Sequence, residues 1–308
     1  MFVLSLLGAS VPMLIYLLLW WKFDKNAHES VKLVLAHFVL GATVAIVLGI
    51  IGSKILSFPL FYLLSKEQAG LLTKVFIAPF VEELSKASIL FYTINNKNID
   101  NLTDGLIYGG AVGLGFGTTE NFIYFFLFGS TLKTFALIFI LRTGFSAVMH
   151  ALATATLGGT MAIKKYSSKF EFILFTIFAL LIAMLIHLGW NLCISFTDTQ
   201  LLGIIFIVFV VVVFIITYSF SLKYERKIIT NNLKQEIPEE YIKGIVFREN
   251  LPIKKNVKKD FIKTAILLAF KKHQVGISMN NKDYYKNEIY KLRIKISELI
   301  KENKQFYN

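Results

Sequence analysis

Five ionisable side chains stand inside otherwise apolar stretches of this chain: Glu82, Glu83, Glu120, His150 and His187. A charged side chain at the centre of a bilayer costs about 2.5–3.5 kcal/mol on insertion scales, so such residues face a bundle interior or a wet cavity and are retained for function. Carboxylates and imidazoles supplied by four separate stretches form the inventory of a water-activating site. The carboxylate takes a proton, and the imidazole holds or returns one.

The first carboxylates lie in Phe76-Ile-Ala-Pro-Phe-Val-Glu-Glu-Leu-Ser-Lys86. Pro79 lacks a backbone donor and disfavours helix just before itself. It is therefore expected to break or kink the segment and leave Glu82 and Glu83 in the first turn of a half-helix, where partial positive charge tolerates an anion. Lys86 follows Glu82 by four residues and Glu83 by three, so it can reach either across one turn. One carboxylate is then held ionised by Lys86 and the other is left to exchange protons, a division that suits a general base. The competing reading, a Glu–Lys cluster at the membrane surface, sits poorly with the apolar sequence on both sides.

The next stretch opens on Asn101-Leu-Thr-Asp104, a good helix start. Gly105, Gly109, Gly113 and Gly117 then recur every fourth residue, a stripe that lets another helix approach backbone to backbone. Glu120 and Asn121 follow one turn later. Arg142 and His150 share the following stretch with small residues from Ala151 to Ala155 and the Gly158-Gly159 pair. Arg142 either snorkels to the outer interface, pairs with Glu120 or orients a substrate. His187 and Asn191 are four residues apart and share one helical face. A single membrane histidine is often a structural hydrogen bonder; two of them alongside three carboxylates favour a common site. Asn191 and Asn121 can donate to a developing oxyanion.

The elements that must position these groups are apolar helices. The chain has 308 residues, 55% hydrophobic and 17% charged, with a mean hydropathy of +0.61. Apolar runs near twenty residues recur, predicting an all-α polytopic membrane bundle. Seven spans are expected, at 2–21, 33–52, 72–94, 104–129, 134–163, 170–195 and 201–221. The fifth, over-long for a bilayer core, is expected to tilt, protrude or break near Gly144. Residues 1–222 form the membrane domain and residues 223–308 a basic tail. The tail carries 20 Lys/Arg against 10 Asp/Glu and holds +10 of the net +13. The positive-inside rule places it in the cytoplasm, with the Lys-rich 22–32 and 164–169 loops, and leaves the N-terminus outside as an uncleaved anchor. Counted from the outer ends of those spans, Glu82, Glu120 and His187 fall roughly 12–15 Å deep, and so does His150 if counted from Arg142. Helical spacing of apolar residues from Lys258 to Lys272 and from Tyr284 to Ile300 predicts a small helical hairpin in the tail, solvated or docked on anionic lipid or a partner. No motif that reads nucleic acid is present. The one cysteine, Cys193, excludes an intrachain disulfide and reads as a small buried hydrophobe.

Taken in order, Glu82-Glu83-x-x-Lys86, Asp104-Gly-x-x-Tyr-Gly-x-x-x-Gly-x-Gly-Phe116-x-x-x-Glu120-Asn121, His150 and His187-x-x-Trp190-Asn191 resemble the PrsW family of intramembrane proteases across residues 72–195. The pattern is also similar to the wider superfamily holding the type II CAAX prenyl proteases. There the second motif carries His where this chain has Glu120-Asn121, and the first ends in Arg where this chain has Lys86. The resemblance implies site-1 cleavage of a single-pass membrane protein, an anti-sigma factor in the family's known role, by a glutamate-type or metal-dependent mechanism. Catalytic residues are then expected among Glu82, Glu83, Glu120, His150 and His187, supported by Lys86, Asn121, Arg142 and Asn191. No metal is favoured. If zinc is bound, His150 and His187 with Glu120 or Glu83 match the His₂Glu set of some catalytic zinc sites, although no His-Glu-x-x-His is present. No Gly-x-Ser-x-Gly elbow supports a serine mechanism. The alternatives are a proton-coupled transporter, which intramembrane Glu and His also build, and a non-catalytic scaffold. The sequence has no convincing internal repeat to support the transporter.

Overall fold

The computed structural model describes residues 1–22, 30–94, 99, 101–247, 251–277 and 282–304, and is all-helical, with no strand among them. Most of the 22–32 loop, Lys25 included, lies outside the described residues. Five stretches are long and apolar enough to cross a bilayer: Phe2–Lys22, Val31–Leu63, Leu132–Lys164, Lys169–Ser195 and Thr197–Leu233. This is a multi-pass membrane protein.

Helix α1 is Phe2–Lys22, α2 is Val31–Leu40 and α3 is Ile46–Ser57, with a π-helical turn at Gly41–Ala45 between the last two. Short α4 (Leu60–Leu63) and α5 (Lys66–Leu72) lead through a second π turn, Thr73–Ile77, into α6 (Ala78–Thr93). Helix α7 is Leu102–Phe128. Helix α8 (Leu132–Leu141) passes through a third π turn, Arg142–Ser146, into α9 (Ala147–Lys164). Helix α10 is Lys169–Ser195 and α11 is Gln200–Leu233.

Two of the seven expected spans, carried by α5–α6 and by α7, are not among the five apolar stretches. The reason lies in what surrounds them. Every residue of α7 from Thr103 to Gly117 is buried, and α6 buries Glu83, Ser85 and Lys86. Helices lined by protein rather than lipid do not need the hydropathy of a lipid-facing span. Asn101 begins α7 with a reciprocal capping box to Asp104, as the sequence predicts.

The glycine stripe of α7 packs on α9, while α1 and α2 cover its other sides and α3 lies along α6. A Cβ at Gly109 would fall 2.4 Å from the Thr154 carbonyl oxygen, and one at Gly113 would fall 2.3 Å from that of His150. Only glycine permits this approach.

Pro79 does not break its helix. The turn before it is π-helical, with the Ala78 N–H donating to Thr73 O, so the wider ring absorbs the missing donor and the backbone stays helical. Glu82 and Glu83 therefore lie in the second turn of α6, not at the mouth of a half-helix. Gly144 likewise sits inside a π turn rather than at a break.

The described residues divide into two compact units, the second gathering Tyr166–Phe172 with the chain from Tyr218 onward. Its helices include α12 (Glu239–Val246), α13 (Lys255–Ile277) and α14 (Lys282–Lys304), longer than the segments expected from spacing. They enclose a core containing Leu233, Tyr241, Phe261, Ala265, Leu268, Ile289 and Ile296. Glu236 bridges Lys272 at 2.7 Å and Arg293 at 2.6 Å.

Candidate active site

The five ionisable residues singled out by sequence converge. Lys86 is fully buried and donates to Glu83 Oε1 at 2.6 Å and to His150 Nδ1 at 2.8 Å. Since a protonated lysine only donates, Nδ1 of His150 accepts and its Nε2–H points to Glu120 Oε2, 2.7 Å away. Glu120 Oε2 also meets Arg142 at 2.6 Å, and Arg142 Nε donates to Asn121 Oδ1 at 3.0 Å. His187 Nδ1 lies 2.9 Å from Glu83 Oε1, and its Nε2 faces Glu82 Oε2 at 3.8 Å. The two imidazoles meet edge to face, with centroids 4.8 Å apart.

The helices explain the convergence. Glycines on α7 bring α9 close enough for His150 to reach Glu120. Spacing of three on α6 sets Lys86 against Glu83, and of the two glutamates open to it, Lys86 takes Glu83 rather than Glu82. A buried ion pair of this kind is supported by further hydrogen bonds, which His150 makes with Lys86 and His187 with Glu83 Oε1. Arg142 is buried, so it is a partner of Glu120 rather than an interfacial anchor.

Phe116, which the second motif names without a role, and Tyr124 support the two cations. Lys86 Nζ lies 4.1 Å over the Phe116 ring and the Arg142 guanidinium lies 3.7 Å over the Tyr124 ring. Their spacing was readable: Phe116 and Tyr124 lie four residues before and after Glu120. Asn191 shares its face with His187 as expected, but its amide donates to Lys74 O at 2.9 Å, inside the second π turn. Trp190 Nε1 donates to Ser146 Oγ at 3.0 Å, at the end of the third. Asn121 keeps a buried Nδ2 without a partner, as do the Oε2 atoms of Glu82 and Glu83.

Three of these residues are placed to hold a metal ion. Glu82, His150 and His187 each offer a ligand atom, all within 4.8 Å of one another. The carboxylate of this group is Glu82, whereas the sequence pointed to Glu120 or Glu83. Tetrahedral zinc at about 2.0–2.2 Å from its ligands holds them about 3.4 Å apart, so a small inward movement completes the set. His187 fits directly: Glu83 accepts its Nδ1–H and leaves Nε2 free, the usual arrangement behind a ligating imidazole. His150 fits only by giving up one of its two bonds, to Lys86 or to Glu120.

Such a cluster can hold a water molecule against a carboxylate within a largely apolar bundle, with spare donors nearby for developing negative charge. Comparison with known proteins agrees with this chemistry. Residues 29–217 match the family described as "PrsW family intramembrane metalloprotease". The chain is 28% identical over 166 residues to "Protease PrsW" of Clostridioides difficile (strain 630), covering 53% of this chain and 65% of that protein. It is 32% identical over 108 residues to "Protease PrsW" of Bacillus subtilis (strain 168), covering 33% and 44%. The matched region thus spans less than two thirds of either relative. No solved structure matches. Because the family match takes in more than half of its length, and contains every residue of the buried cluster, the chain belongs to the PrsW family of intramembrane metalloproteases.

Proposed function

We propose that this protein hydrolyses a peptide bond of a single-pass membrane protein, at the cluster formed by Glu82, Glu83, Glu120, His150 and His187. The observation that carries this reading is the gathering of half-buried Glu82 with buried His150 and His187 around one point, with Glu83 behind His187. A transporter needs such groups strung along a path; here they surround a single centre.

Glu82 Oε2 is buried, has no hydrogen-bond partner and lies 3.8 Å from His187 Nε2. One water within reach of both atoms gives its proton to Glu82 as its oxygen bonds to the scissile carbonyl carbon. The negative charge that develops on the carbonyl oxygen is met by donors, with Asn121 Nδ2 unengaged and Arg142 beside it. The carbon–nitrogen bond then breaks, and the amine leaves with the proton held by Glu82. Glu83, ionised against Lys86, keeps His187 in one tautomer and orientation.

A divalent ion, zinc by the ligand chemistry, would be held by Glu82, His150 and His187 and would lower the pKa of bound water and polarise the carbonyl. A metal-free glutamate mechanism has one observation in its favour: both His150 nitrogens already have partners, as in a proton relay.

The remaining features follow the same reading. The segments α5–α6 and α7 cross the bilayer with the five apolar stretches, giving seven spans in residues 1–222, an outer N-terminus and a cytoplasmic tail from 223 to 308. The substrate by family role is an anti-sigma factor. The test is purified protein in vesicles with a single-pass substrate, assayed before and after 1,10-phenanthroline. Cleavage by the wild type and none by Glu82→Gln supports hydrolysis; loss on chelation and return with zinc supports the metal, while chelator-resistant cleavage supports the relay. An uncleaved set of single-pass substrates, anti-sigma factors included, would overturn the proposal.

A further inference from the structure

Helix α10 stands between two apolar cavities. On the α6 side is a cleft of about 390 Å³, lined by Leu56, Phe76, Phe80, Met184 and Leu188 among others. On the opposite side is a larger cavity of about 520 Å³, lined by α7, α9 and α11 residues together with Ile182, Leu185 and Ile186 of α10. Helix α10 nowhere forms the tight backbone seam that joins α7 to α9. Near the site its polar ties to the bundle are His187 to Glu83, Trp190 to Ser146 and Asn191 to Lys74 O. The last two land on π turns, helix irregularities of a kind frequent at functional sites.

The smaller cleft lies about one helical turn from the site along both α6 and α10. Pro79 and Phe80 precede Glu83 by four and three residues, and Met184 precedes His187 by three. The walls of the cleft and the joined Glu83–His187 pair are therefore on the same faces of α6 and α10. Its outer rim is lipid-facing, with Leu56, Phe76 and Phe80 about half exposed.

We infer that α10 is the movable wall of a lateral opening, and that the apolar transmembrane segment of the substrate enters between α6 and α10 against Phe80, Met184 and Leu188. This rests on the proposed protease reading. The wall chemistry selects the occupant: it is apolar, so it suits a lipid-embedded segment, and it lies one helical turn from the Glu83–His187 pair, which a lipid tail cannot use but a peptide bond can. Space behind α10 allows the displacement, since a shift toward the larger cavity widens the cleft. Phe80, Met184 and Leu188 then set which side chains are accepted beside the scissile bond.

The experiment uses the full chain in vesicles with Cys193→Ser as background, carrying Phe80→Cys with Leu188→Cys. A bifunctional thiol reagent tethers α10 to α6. We expect the tethered protein to lose cleavage of a single-pass substrate at least tenfold more than either single cysteine variant treated with the same reagent. In a second arm, Glu83→Gln protein with Phe80→Cys is expected to capture a substrate bearing one transmembrane cysteine, and protein with Leu14→Cys on α1 is not. Full cleavage by the tethered protein, or equal capture at Leu14 and Phe80, overturns the inference. Untethered protein that cleaves nothing fails the protease reading instead, and the capture arm still reports on the opening.

Discussion

His187 Nδ1 lies 2.9 Å from Glu83 Oε1, and that bond turns His187 Nε2 toward Glu82 Oε2, 3.8 Å away. The adjacent glutamates of α6 thus have different surroundings. Glu83 is engaged through Oε1 by both Lys86 and His187, whereas neither carboxylate has a partner for its Oε2, and that of Glu82 faces His187 Nε2. Their separation arises from helical phase, since consecutive residues project about 100° apart and cannot both face Lys86.

The two glutamates should fail differently. Glu82→Gln removes the proton acceptor and should lower the cleavage rate by about 10²–10⁴-fold with stability unchanged. Glu83→Gln keeps an acceptor for His187 but leaves Lys86 without its carboxylate. It should lower activity by about 10–100-fold and also destabilise the protein. Cleavage rates and unfolding in mixed detergent micelles, measured on the same preparations, separate the two.

Lys86 joins Glu83 to His150 at zero exposure, so its removal leaves a buried carboxylate uncompensated. Lys86→Met should cost about 3–5 kcal/mol of stability. Adding Glu83→Gln to Lys86→Met should recover much of that loss, because two neutral groups replace a stranded charge, yet cleavage should stay low. Equal stability of the single and double variants would contradict the pairing seen here.

Much of this site was legible in the sequence because each ionisable residue stood out against apolar neighbours, and because glycines every fourth residue marked the seam that joins α7 to α9. The seven-span count was less secure: α6 and α7 carry the chemistry, and the polar residues that made them conspicuous also lowered their hydropathy. The behaviour of Pro79 was not readable, since whether a proline kinks a helix depends on whether the preceding turn can widen, and nothing in Thr73–Ile77 announces a π turn. Asn191 looked like an oxyanion donor on its helical face. Its bond to Lys74 O depends on α10 crossing α5–α6 at that level, which only the tertiary structure fixes.

At Gly113 the α7–α9 seam should tolerate no added methyl group. A Cβ at Gly113 would lie 2.3 Å from His150 O and 2.8 Å from Ala151 Cα, both backbone atoms. Gly113→Ala should cost about 1–3 kcal/mol as overpacking does and should depress cleavage by shifting His150 from Glu120. Gly70 has nothing within 4 Å of an added Cβ and lies in α5, so Gly70→Ala should leave cleavage intact and change stability by less than about 1 kcal/mol, toward greater stability. Micelle unfolding of both variants provides the comparison.

The second compact unit should carry its own pH sensitivity, centred on Glu236. The hydrogen bond from Arg293, followed by those from Lys272, holds the Glu236 carboxyl below its ordinary value of 4.5, against the opposing effect of partial burial. A carboxylate whose folded value is depressed contributes stability that is fully present above the unfolded value and disappears as pH falls through the folded one. The packing of Leu233 and Tyr241 against α13 and α14 should therefore hold from neutral pH down to about 4.5 and loosen below it. Glu236→Gln should be less stable than wild type at pH 7 and should lose this acid dependence. Whole-protein melting would mix in the intramembrane carboxylates, so the measurement is segment-resolved hydrogen exchange of residues 228–247 and 286–303, corrected for intrinsic rates, from pH 7 to pH 3. Acid loosening of equal size in Glu236→Gln would place the sensitivity elsewhere.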